Sequence, residues 1–301
     1  MDSRSRRPTA ADFPPEVLSL FDRYVHGQLD RRGFLDGAAR FAVGGTTAAG
    51  LLAALSPKFA QAQVIRPDDA RIRMQWIDIA SPAGHGTIRA QVVRPAQAAG
   101  PRPVVLVIHE NRGLNPHIED IARRFAVEGF VAVAPDALSS VGGYPGDEDA
   151  ARERFSKLDP ARLNEDFVAA ARHALAIEGG NGRLGVVGFC YGGGVTNLLA
   201  ARVPEIRAAA PFYGPAPAAA LVPAIRARLY IVHAAQDERI NAGWPAYEAA
   251  LKAAGTDHVR EQFAGTQHGF HNDTTPRFDA EAARQAWART LALFNATLGT
   301  A

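Results

Sequence analysis

Along residues 63–301, unbroken apolar runs alternate with apolar stripes at helical spacing. The run "PVVLVIH" (103–109) stays apolar almost to its end, as a strand buried on both faces requires. In "NPHIEDIARRFAVEG", which follows soon after, Asn115 can cap a helix and Pro116 suits its first turn. Ile118, Ile121 and Phe125 then share one face, and Gly129 ends the helix. Further strands are predicted over "FVAVAP" (130–135), "RLGVVGF" (183–189), "IRAAAPFYG" (206–214), "ARLYIVHA" (227–234) and "HVREQFAG" (258–265). Two mixed runs, "IRMQWIDIA" (72–80) and "TIRAQVVRP" (87–95), open the set. Helices are predicted from Asp159-Pro160, with the stripe Leu163, Phe167, Ala171 and Leu175, and from Tyr191 just after Cys190. Two more fall on "AGWPAYEAALKAAG" and "DAEAARQAWARTLALFNATL". Alternating strand and helix units imply one α/β domain, 63–301, with a mostly parallel central sheet and helices on both faces.

The first 62 residues follow a different pattern. "DRRGFLD" (30–36) precedes a weakly apolar, small-residue run from 41 to 55, then "SPKFAQAQ". That run is shorter than the roughly 20 residues that span a bilayer. Paired arginines, a short apolar run and a small-x-small site at Ala60 and Ala62 match an export signal. Arg31-Arg32 followed by Phe34-Leu35 resembles the twin-arginine signal, with Lys58 near the cleavage site. Asp30 and Asp36 depart from that pattern. The expectation is a 1–62 leader, export by the twin-arginine machinery as a folded protein, and a mature N-terminus near Gln63. The destination is then periplasmic or secreted, with no stable membrane span after cleavage. The alternative is an amphipathic N-terminal segment that stays on the protein. Residues 1–29 carry an apolar stripe at Val17, Leu20, Phe21 and Tyr24 that the signal does not use.

Composition narrows the function. A formal net charge of +2 gives no strong attraction to nucleic acid or acidic membranes. A single cysteine in 301 residues excludes an intramolecular disulfide and a multi-thiolate zinc site. No phosphate-binding loop or dinucleotide fingerprint is present, and neither cofactor nor metal is expected.

The lone thiol lies in "VVGFCYGGGV" (186–195), at the carboxyl end of a predicted strand, where functional residues of parallel sheets collect. Gly188-Phe189-Cys190-Tyr191-Gly192 is the G-x-nucleophile-x-G elbow with cysteine in place of serine. The tight turn exposes the side chain and aims backbone N–H groups at a developing oxyanion. The helix start favours the thiolate. The bland reading is a buried, inert cysteine beside helix-packing glycines. A nucleophile needs a base, and the base an orienting acid. On this fold the chain order is nucleophile, acid, histidine. Asp237 and His268 follow Cys190 in that order, each beyond a strand end. His271 is the rival base, and His233 reads as a packed residue at a strand terminus. A His268–His271 metal pair lacks both the HExxH spacing and a carboxylate partner.

The motifs "VIHENRGLNPHIEDIARRFAVEGFVAVAPDAL" (107–138), "GVVGFCYGGG" (185–194), "HAAQDERI" (233–240) and "QHGFHND" (267–273) together resemble the dienelactone hydrolase family of α/β-hydrolases. The resemblance implies an α/β-hydrolase fold and a hydrolase of small esters or lactones using Cys190, Asp237 and His268. It implies that Glu110 lies near the thiol and governs its ionisation, and that the backbone N–H groups of Asn111 and Tyr191 form the oxyanion hole. Members acting on dienelactone grip its carboxylate with arginines, one shortly after the histidine. Here no arginine follows His268 until Arg277, which leaves Arg112 and Arg154 as candidates and sets the namesake substrate apart. A peptidase or acyltransferase on the same fold, and a non-catalytic binding or thiol-sensing protein, remain the competing functions. An ester and lactone screen separates them.

Overall fold

The computed structural model describes residues 7–299; the outermost residues of the expected 1–62 and 63–301 units lie outside that range. One eight-stranded sheet organises the chain in the order β1-β2-β4-β3-β5-β6-β7-β8. The strands are β1 (Ile72–Ser81), β2 (Gly86–Pro95), β3 (Arg102–Ile108), β4 (Val131–Asp136), β5 (Gly180–Phe189), β6 (Ile206–Phe212), β7 (Arg228–Ala234) and β8 (His258–Phe263). β2 is antiparallel to both β1 and β4, and every pair from β4 through β8 is parallel. The helices are α1 (Pro15–Val25), α2 (Arg31–Ala38), α3 (Ala48–Leu55), α4 (Phe59–Ala62), α5 (Pro116–Val127), α6 (Glu148–Ser156), α7 (Pro160–Leu175), α8 (Tyr191–Arg202), α9 (Glu238–Asn241), α10 (Trp244–Ala254) and α11 (Ala280–Leu298).

The expected strands and main helices are present within a residue or two of the expected ends, except that β5 starts three residues earlier than expected, at Gly180. β4 is buried along its whole length and β3 almost so, which is why both read as continuous apolar runs. One core packs α7 and α8 against the sheet through Phe167, Val195 and Leu199. The other packs α5 and α11 against the opposite face through Ile121, Phe125 and Phe294. Asn115 caps α5 by accepting from the Ile118 N–H. Helix α6 had no legible stripe because it buries only Ala151; an Asp147 cap starts it.

The turn from β5 into α8 depends on backbone atoms packed too closely for side chains. A Cβ on Gly188 would lie 2.1 Å from the Gly192 oxygen. One on Gly192 would lie 2.5 Å from the Ile108 oxygen and 2.6 Å from that of His109. These neighbours are backbone carbonyls of α8, β3 and the exit of β3, which cannot rotate away as a flexible side chain could.

Residues ahead of β1 fold as a helical layer over the carboxyl end of the sheet. Val17, Phe21 and Tyr24 of the apolar stripe are buried there with Phe34, Leu51, Leu52 and Leu55 in a core of their own. The run from 41 to 55 is broken: a turn at Gly44-Gly45 precedes α3, so the apolar residues do not form one long helix. Among the described residues no helix is long and apolar enough to cross a membrane.

The crowding at the elbow gives a direct test. Gly192→Ala should cost about 1–3 kcal/mol, the usual penalty for overpacking a filled site. Urea denaturation would register it as a lower midpoint at unchanged slope, and an unmoved midpoint would contradict the packing described.

Candidate active site

Cys190 occupies φ 56°, ψ −114°, as the residue that caps α8. Non-glycine residues at positive φ are strained and concentrate at functional sites. Cys190 and Tyr213 are the two such residues described. The Cys190 N–H is fixed to the Phe212 carbonyl at 3.0 Å, which ties the elbow to β6. Asp237 follows β7 and caps α9 by accepting from the Ile240 N–H. His268 follows β8 in a turn. Its Nδ1 lies 2.6 Å from Asp237 Oδ2. His268 Nε2 is buried without a hydrogen-bond partner and lies within 4.8 Å of Cys190 Sγ. The three expected residues therefore meet, each from a different strand end.

His271 is placed elsewhere. Its ring stacks on Phe189 at 5.3 Å and meets Phe212 edge-on at 5.1 Å. Burial, with His117 and Arg124 nearby, brings it down to about 3, so it is a neutral packing residue at physiological pH. His233 accepts from Arg260 Nε at 3.0 Å and packs against Trp244.

Burial alone would push the Cys190 thiol up. Facing His268 and His26 outweigh it and bring the thiol down to about 6. Burial opposes the charge on His268, but the thiolate and Asp237 raise it overall. Burial likewise opposes ionisation of Asp237, and His268 holds it below the ordinary carboxylate range. The thiol and imidazoles thus favour each other's charged forms.

A cavity of about 330 Å³ opens at Cys190 and His268. Its walls include Glu110, Asn111, Arg112, Tyr144 and Arg277, and Phe21, Tyr24 and Phe59 roof it. Glu110 Oε2 accepts from Asn272 Nδ2 at 3.1 Å, and no hydrogen bond joins Glu110 to Cys190 among the described residues. Asn111 and Tyr191 flank the thiol from the exit of β3 and the start of α8. Arg112 is buried and already engaged: its guanidinium donates to the Val25 carbonyl at 3.1 Å and to Asn111, and faces Glu148 at 3.7 Å. Arg154 does not reach the cavity. It donates to the carbonyls of Val141 and Gly143, both at 3.2 Å. Two functional-site neighbours carried no sequence signal. Tyr213, at positive φ, sets its ring 5.0 Å from that of His268. His26, from the N-terminal layer, puts Nε2 3.6 Å from Cys190 Sγ. His26, Cys190 and His268 are the described trio whose donor atoms could share a metal ion, but its sulfur is the same atom that the elbow presents.

An eight-stranded, mostly parallel sheet with a strained elbow after β5 and an acid and a histidine after β7 and β8 defines an α/β-hydrolase. The match extends to the family. The dienelactone hydrolase family model covers residues 88–298, and the chain belongs to that family. A second family model, YqhI-like, covers residues 5–43. A "Putative carboxymethylenebutenolidase" of Escherichia coli K12 is 31% identical over 83% of this chain and 96% of its own length. "Putative hydrolase fragment YghX", also from E. coli K12, is 50% identical over 38% of this chain and 97% of its own. The crystal structure of a "Putative Dienelactone Hydrolase" from Klebsiella pneumoniae superposes with a TM-score of 0.65 at 28% identity, covering 74% of this chain and 98% of that one.

The thiol's environment predicts its reactivity. Alkylation of Cys190 by iodoacetamide, followed by peptide mass spectrometry, should rise through a midpoint near 6. Below that pH the thiol is protonated and slow; above it the thiolate reacts. A midpoint near the ordinary cysteine value of about 8.5 would contradict the arrangement.

Proposed function

We propose that this chain hydrolyses small, uncharged esters or lactones through a thioester on Cys190. The observation that carries this reading is the convergence of a strained, buried thiol with the Asp237–His268 pair on one cavity. The Cys190 thiolate adds to the substrate carbonyl carbon. The resulting oxyanion is received by the backbone N–H groups of Asn111 and Tyr191. Collapse expels the alkoxide, which takes a proton from His268 Nε2. His268 then takes a proton from water, and the hydroxide adds to the thioester. The C–S bond breaks, the acid leaves and the thiolate returns. Asp237 holds His268 Nδ1–H throughout. Glu110, fixed by Asn272, restrains ionisation of the thiol by like charge. No cofactor enters these steps.

The preference for uncharged substrates follows from the charges around the cavity. Arg112 and Arg277 are bound to protein partners, while Glu110, Asp147, Glu148 and Asp149 line the walls. Among the described lining residues Arg31 pairs with Asp149 and His26 is committed to Asp22 and the thiol, so a substrate carboxylate would meet four acidic side chains and no cation without a protein partner, unlike the dienelactone that names the family.

Turnover tests both parts. His268→Ala should lower kcat by roughly 10² to 10⁴, the range of acid–base contributions, and Cys190→Ala by at least as much, since it removes the attacking atom. His271→Ala should retain kcat and lower Tm. Matched esters with and without a carboxylate should differ in kcat/KM in favour of the uncharged one. Undiminished turnover in Cys190→Ala would overturn the thioester route. Absence of turnover with every ester and lactone would favour a binding or thiol-sensing protein.

We also propose that Arg31-Arg32 direct twin-arginine export to the periplasm or beyond, with residues 1–62 kept on the protein rather than removed at Gln63. Both side chains are accessible on α2, Arg32 at 89% and Arg31 at 59% exposure, so a folded chain can present them. Fractionation of cells carrying Arg31→Lys/Arg32→Lys should move the protein to the cytoplasm; an unchanged distribution would reject export by this route.

A further inference from the structure

We propose that the N-terminal layer is a permanent part of the working enzyme, and that its His26 is a second catalytic imidazole, a charge held against the Cys190 sulfur while His268 moves the proton. This rests on the thiol-nucleophile reading above.

The layer is seated by buried polar contacts as well as by apolar packing. Helix α1 ends at Val25, whose carbonyl has no partner within the helix. Asn111 Nδ2 and Arg112 Nη2 donate to it at 3.0 and 3.1 Å. Half-buried Arg277 pairs with Asp22 at 3.3 Å and lies over the Phe21 ring. Further along, the Lys58 N–H donates to the Thr274 carbonyl, and the Val64 and Ile65 N–H groups to Asp120. Arg112 and Arg277 thus hold the layer, the work that cations of this loop region would otherwise do for a substrate carboxylate.

The seated layer leaves room at the thiol. Besides the roofed cavity already described, a second of about 360 Å³ lies against Cys190, walled by Phe155, Tyr191 and Tyr213. His26 lines both. A layer whose purpose was to plug the site would fill these spaces.

The residue following α1, His26, meets both the sulfur and His268. Its Nε2 is 3.6 Å from Sγ, and its ring meets the His268 ring edge-on at 4.7 Å. Its Nδ1 is 2.7 Å from the Asp22 carbonyl oxygen and 3.4 Å from Asp22 Oδ2. Two Asp–His pairs therefore face one sulfur, Asp237–His268 from the sheet and Asp22–His26 from the layer. Arg239 of α9 places Nη2 3.0 Å from His26 Nε2, a hydrogen bond that the neutral ring accepts and that an Nε2–H directed at the sulfur replaces. The groups facing His26 are Asp22, Cys190, His268 and Arg239, with Arg277 behind Asp22. Burial opposes a charge on His26, but Asp22 and the thiolate raise it to about 10. The Asp22 pair and the facing thiolate thus favour the charged imidazole. The charge favours the attacking thiolate, and favours it again as leaving group when the thioester breaks.

Full-length His26→Ala, His26→Gln and Asp22→Asn test this, with Cys190→Ala as control. The alkylation midpoint of Cys190 should move up by about one pH unit in both His26 variants, and less in Asp22→Asn. The kcat should fall about tenfold or more, with KM nearly unchanged. Limited proteolysis at α2 reports whether the layer stays seated; His26→Gln at the wild-type cleavage rate isolates the charge from docking. An unshifted midpoint and turnover in a seated His26→Gln would overturn the inference. So would raised turnover, the signature of a plug, or a fully active exported protein that begins at Gln63. If Cys190→Ala itself retained turnover, the nucleophile reading would fail first. If only the His26 variants were silent, that reading would stand and this one would not.

Discussion

The site depends on one backbone conformation, the positive φ of Cys190 at the end of β5. An L-residue holds such a geometry only when its surroundings leave no alternative. Here they are the carbonyls of Ile108 and His109 against Gly192, that of Phe212 against Gly193, and that of Gly192 itself against Gly188. β3, β5 and β6 must be adjacent for those contacts to exist, and the sheet order makes them so. The same adjacency brings Asn111, Cys190 and Tyr213 to one point, while β7 and β8 deliver Asp237 and His268.

Electrostatics then follows from burial. A thiol, two imidazoles and their carboxylates lie in a region poor in water, where each charge is costly alone and favourable beside its partner. The lowered thiol and raised imidazoles are one arrangement seen from several atoms. The cluster thus favours the thiolate without a strong external base, the condition that the proposed thioester route requires.

Much of this was legible in the sequence. Buried parallel strands have to be continuously apolar, so β3 to β7 stood out, and the elbow glycines fixed the strand end that carries Cys190. The order of Asp237 and His268 followed from the strands preceding them. The preference for His268 over His271 came from its position near the strand end, and the stacking of His271 on Phe189 supplies the physical reason. What local pattern could not carry was long-range partnership. The Val25 carbonyl and Arg112 lie far apart in sequence, so Arg112 read as a free cation for substrate. Arg154 read likewise, yet it closes a loop at Val141 and Gly143. The arginine pair and small apolar run before β1 fit both an export leader and a packed layer. Only the docking contacts distinguish a layer that roofs the site. His26 was silent because nothing near it in the chain indicates that it meets the thiol.

The central claim is that Cys190 carries the acyl group. Rapid-quench mass spectrometry of the full-length protein mixed with a slowly deacylating ester tests it most directly. The account predicts transient addition of the acyl mass to the peptide containing Cys190, formed and lost at rates that accommodate kcat. Turnover with the acyl mass on another residue, or with none on Cys190 at any time, would contradict it.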